Sequence, residues 1–70
     1  MRPFSKKEER ILYFVDGIDM HAKRIVGIAQ SIRQGAAEGD SDFVYASLNS
    51  IISNVLLMNV KTDRLREEIE

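Results

Sequence analysis

The chain has 70 residues and a mass of 8.0 kDa, enough for one small domain and not for two. Ten Lys and Arg against eleven Asp and Glu leave a net charge of −1, so no global field draws it to nucleic acid or an anionic membrane. It has no cysteine and a single histidine, which excludes disulfides, thiolate catalysis and thiolate-bound zinc.

The N-terminus, Met1-Arg2-Pro3-Phe4-Ser5-Lys6-Lys7, is basic, but no apolar stretch of signal length follows because Asp16 and Asp19 interrupt the run from Ile11. The longest unbroken apolar runs, Ile11 to Val15 and Val55 to Met58, fall well short of the ~20 residues that span a bilayer. A soluble cytoplasmic chain without a membrane partner is expected. Ser5-Lys6-Lys7-Glu8 has the form of a capping box, in which the serine hydroxyl accepts from the third helical amide and the glutamate reaches back. A first helix is therefore predicted over about 5–34.

Gly35-Ala36-Ala37-Glu38-Gly39-Asp40 is the next strong interruption, with Gly35 suited to the left-handed position that ends a helix. A turn is predicted over 35–40, followed by a second helix over about 41–69, capped by Asp40 or Ser41 and favoured by Asp42 at its positive end. Glu67, Glu68 and Glu70 oppose the dipole at the far end, so the last turn is expected to fray or to continue into a longer parent chain. Residues 1–70 thus read as one helical-hairpin domain.

Apolar spacing supports this. Ile11, Phe14, Ile18, His21, Ile25, Ile28 and Ile32 recur in alternating steps of three and four, as do Val44, Leu48, Ile51, Val55, Met58, Thr62, Leu65 and Ile69. Two long helices joined by a short turn pack antiparallel, so facing residues carry numbers with a constant sum. Ile32–Val44, Ile28–Leu48, Ile25–Ile51, His21–Val55, Ile18–Met58, Phe14–Thr62 and Ile11–Leu65 all sum to 76.

One flank of this seam is also apolar. It carries Leu12, Val15, Ala22, Val26 and Ala29 from the first helix with Tyr45, Ile52 and Leu56 from the second, while the opposite flank (Gly17, Arg24, Ser31, Ser47, Asn54, Lys61) is polar or small. A lone hairpin would expose the apolar side, so the expected fold is all-α, a hairpin closing into a homodimeric four-helix bundle through that face. A different protein supplying the second half is the competing expectation.

His21 is the one residue that invites a catalytic role, since a histidine on a four-helix bundle can carry phosphate. Its seam position favours instead a buried polar layer that hydrogen-bonds Asn54 or Asn59 and fixes register, with phosphotransfer through His21 carried as an alternative. No second histidine or inward acid suggests a metal site, and no Gly-rich phosphate loop is present. No catalytic residue, cofactor or metal is expected. Arg2, Lys6, Lys7, Arg10, Lys61, Arg64 and Arg66 gather at the open end among as many acids less one, which reads as a solvated, salt-bridged pole. A hairpin dimer of this kind resembles in architecture the ROP bundle, which binds paired RNA loops, so RNA binding is carried as an alternative on architecture alone. Tyr13, Met20, Leu57 and Val60 lie outside both seam and flank and form a candidate surface for an unidentified protein partner. The expected function is a small non-catalytic interaction or regulatory module acting through a helix face.

Overall fold

A computed structural model describes residues 3–70; the basic N-terminal reading at Met1 and Arg2 lies outside the described residues. Helix α1 spans Lys6–Ala37 and helix α2 spans Ser41–Ile69. Contacts at the turn (Gly35 with Phe43), midway (His21 with Asn54) and at the open end (Arg10 with Glu68) set them antiparallel. The chain is an all-α hairpin.

The start of α1 follows from its cap: the Ser5 hydroxyl accepts from the Glu8 amide at 3.1 Å. The turn is shorter than expected. Rather than occupying 35–40 it is confined to 38–40, because α1 continues through Gly35 into the helix-favouring Ala36 and Ala37. The glycine that takes the left-handed conformation is Gly39, at φ 73°. Asp40 N–H then bonds Gly35 O at 2.9 Å and Gly39 N–H bonds Ala36 O at 3.1 Å, satisfying carbonyls that the helix end would leave bare. Of the two candidate caps for α2, Asp40 accepts from the Phe43 amide at 3.1 Å. At the other end α2 stays helical to Ile69, with Arg10 Nε 2.8 Å from Glu68 Oε1. That cation offsets a carboxylate the dipole would otherwise disfavour.

The seam departs from the expected one on α2 alone. On α1, Ile11, Phe14, Ile18, His21, Ile25, Ile28 and Ile32 turn inward as the spacing predicts. On α2 the inward set is Val44, Ser47, Ile51, Asn54, Met58, Lys61, Leu65 and Glu68, while Leu48, Val55, Thr62 and Ile69 face solvent. Alternate layers of the 76-sum pairing are therefore corrected: His21 faces Asn54 and not Val55, and Leu48 and Thr62 leave the seam. At 100° per residue the exchange amounts to a rotation of α2 by about 50° about its own axis.

A buried polar group explains the choice. An imidazole opposite Val55 would have no partner, and leaving it unsatisfied costs about 1–3 kcal/mol. Turning Asn54 inward supplies one, and Gly17 gives the Lys61 stem room: a Cβ at Gly17 would lie 2.7 Å from Lys61 Cδ. Two helices give only one layer, 53 × 25 × 11 Å, with a radius of gyration of 16.3 Å against roughly 11 Å for a compact chain of this length. Among the described residues His21 and Gly35 are buried, and no apolar side chain is.

Candidate functional site

His21 sits at mid-helix with 4% of its surface exposed. Its Nδ1 lies 2.8 Å from Asn54 Oδ1, and Asn54 Nδ2 donates to Ser50 O at 2.9 Å. Because Nδ2 is committed to that carbonyl, Oδ1 must face the ring, so Nδ1 carries the proton it donates. Asn59, the other candidate partner, is exposed and takes no part. His21, Asn54 and the Ser50 carbonyl form a polar layer one helix turn long. Among the described residues, no three His, Cys, Asp or Glu side chains converge where a metal ion could sit.

The apolar flank is the larger feature. Leu12, Val15 and Val26 on α1, with Tyr45, Ile52 and Leu56 on α2, are all exposed; Ala29 is exposed and Ala22 half-buried between them. The rotation of α2 widens this face beyond the residues the spacing assigned to it, adding Leu48 at 46% exposure and Val55 at 42%. These two were missed because a strict three-four count places them in the seam. The available signal was His21 itself, whose need for a polar partner favours Asn54 over Val55. Ala36, Val44, Tyr45 and Leu48 line a hollow of about 320 Å³ at the turn end of this face.

The opposite flank is polar. Arg24, Ser31, Ser47 and Ser50 border an open groove of about 470 Å³, and a Cβ at Gly27 would touch nothing within 4 Å. Tyr13 and Met20 border a shallow hollow beside Lys61, with the Tyr13 ring edge-on to Phe14 at 5.5 Å between centroids. Leu57 and Val60 are exposed on α2, outside the apolar flank. Tyr13 and Met20 border the same hollow, whose lining does not include Leu57 or Val60. On the outer surface Asp19 pairs with Lys23 at 2.8 Å and raises the pKa of that ammonium through a hydrogen bond and its charge.

Residues 43–60 carry no charged side chain, and α2 is by length and composition alone long and apolar enough to cross a membrane. A search for unbroken apolar runs does not find this, because Ser47, Asn49, Ser50, Ser53, Asn54 and Asn59 divide the segment. The chain matches no protein-family model, no curated protein and no solved structure.

Proposed function

We propose that this chain is a small non-catalytic interaction module, regulatory in role, that pairs with a second copy through its apolar face to form a four-helix bundle. The observation that carries the reading is that the hairpin is a single layer in which no apolar side chain is buried among the described residues. Helices bury their apolar stripes only against a second layer, and a stable domain needs one. The area agrees. The chain exposes 5553 Å², whereas a compact monomer of 8.0 kDa exposes roughly 4,450 Å². The excess of roughly 1,100 Å² exceeds the ~800 Å² that each partner buries in a standard interface.

A bilayer would also cover apolar surface, but the hairpin geometry opposes it. Asp16, Asp19, Lys23 and Arg24 lie on α1 at the levels of α2 that would be immersed. Each charge at bilayer depth costs about 2.5–3.5 kcal/mol on insertion scales, whereas a second hairpin leaves Asp16, Lys23 and Arg24 in water. The cytoplasm is accordingly the proposed location.

Phosphotransfer through His21 is disfavoured by the burial of its ring and the engagement of Nδ1 by Asn54. RNA binding by the dimer finds little support at the open end, where Lys6, Lys7, Arg10, Lys61, Arg64 and Arg66 are matched by six acids. A gel shift that weakens steeply with salt would favour it.

Sedimentation of Ala22→Glu beside the unmodified chain tests the pairing. A carboxylate buried in the face without a partner costs several kcal/mol, so the variant is expected to dissociate at least ~100-fold more readily. Equal association of variant and unmodified chain would overturn the reading.

A further inference from the structure

We propose that His21 and Asn54, inside the seam, position the apolar face outside it. Their bond holds α2 in the rotation that exposes Leu48 and Val55; without it α2 settles in a second rotation, with a narrower face that pairs less readily. This rests on the pairing proposed above and adds what controls it.

Helix α2 can seat either of two residue sets against α1. Val44, Ile51, Met58 and Leu65 belong to both. In the structure Ser47, Asn54, Lys61 and Glu68 complete the seam. Turning α2 by about 50° replaces them with Leu48, Val55, Thr62 and Ile69. Angles between these two set side chains on the ridges of α1 instead of between them, so the rotations are discrete.

Apolar burial favours the second rotation. It covers Leu48, Val55 and Ile69, all exposed in the structure, and returns Asn54 and Lys61 to water. What opposes it is local. Facing Val55, the Nδ1 proton of His21 would have no acceptor, whereas in the observed rotation Asn54 Oδ1 lies 2.8 Å from Nδ1. A second bond between the helices, Arg10 to Glu68, lies at the surface and contributes little. The His21–Asn54 bond is therefore the lock. Leu48 and Val55 cannot both fill the seam and widen the face, so opening the lock withdraws two large side chains from the pairing surface of each copy.

The test is His21→Leu, read by magnetic-resonance contacts of residue 21 and by sedimentation. Asn54 then has no donor to accept from in the seam. The variant is expected to fold, to place residue 21 against Val55 rather than Asn54, and to dissociate at least ~10-fold more readily than the unmodified chain. His21→Gln keeps a side-chain donor for Asn54 and is expected to pair as the unmodified chain does. If His21→Leu fails to fold, Asn54→Val combined with Val55→Asn serves instead. That exchange keeps the composition and offers His21 an acceptor only in the second rotation, so the same loss of pairing is expected. Pairing by His21→Leu or by the exchange as tight as that of the unmodified chain would overturn the inference and leave the pairing intact. So would residue 21 still lying against Asn54 in His21→Leu, or an equal loss of pairing in His21→Gln. An unmodified chain with a mass of 8.0 kDa in solution would overturn the pairing, and this inference with it.

Discussion

At the scale of single residues, the His21–Asn54 bond decides more than its own energy suggests. A neutral hydrogen bond contributes about 1 kcal/mol net, yet leaving one partner buried alone costs about 1–3 kcal/mol. The second figure sets which side of α2 turns inward. Asn54→Ala is therefore expected to destabilise the fold by about 1–3 kcal/mol, because the Nδ1 proton of His21 loses its acceptor. Changing His21 and Asn54 together to leucine removes donor and acceptor at once and is expected to be near neutral or stabilising, with α2 no longer held in one rotation. Urea unfolding of the two single variants and the double variant measures the coupling. An Asn54→Ala chain as stable as the unmodified one would remove the bond from the account.

At the scale of the elements, helix positions were legible in the sequence and their ends and faces less so. The seven inward positions of α1 follow from spacing alone, because its polar residues other than His21 fall outside the stripe. On α2 two stripes compete. Val44, Ile51, Met58 and Leu65 belong to both, so apolar spacing cannot say whether Leu48 and Val55 or Ser47 and Asn54 complete the seam. A local count also misleads at the turn, where Gly35 and Gly39 are both plausible helix stops. Packing separates them: a Cβ at Gly35 would lie 2.6 Å from Phe43 Cδ1, so Gly35 serves close approach inside the helix. Gly35→Ala is expected to destabilise by about 1–3 kcal/mol through overpacking. Gly27→Ala, with open space around the added methyl, is expected to stabilise by up to about 1 kcal/mol through helix propensity. Thermal unfolding of the two variants should move in opposite directions, and a shared direction would mean that the Phe43 contact is unimportant.

At the scale of the whole molecule, the candidate interaction face was largely visible in the sequence, and its full width was not. Leu12, Val15, Val26, Tyr45, Ile52 and Leu56 follow from the flank of the seam, whereas Leu48 and Val55 join them only because α2 turns to meet His21. One polar residue inside the hairpin thus enlarges the apolar surface outside it. What covers that surface is a question of association, and association leaves a thermodynamic mark that a lone chain cannot. If folding and pairing are one event, dilution must lower the melting temperature, since the unfolded chains are separate and the folded ones are not. The most direct measurement is helical circular dichroism through thermal unfolding over a hundredfold range of concentration, with mass determined at each. A midpoint that falls on dilution, from a species of twice 8.0 kDa, is the predicted result. A cooperative midpoint that does not move, from a fully helical species of 8.0 kDa, would contradict the account.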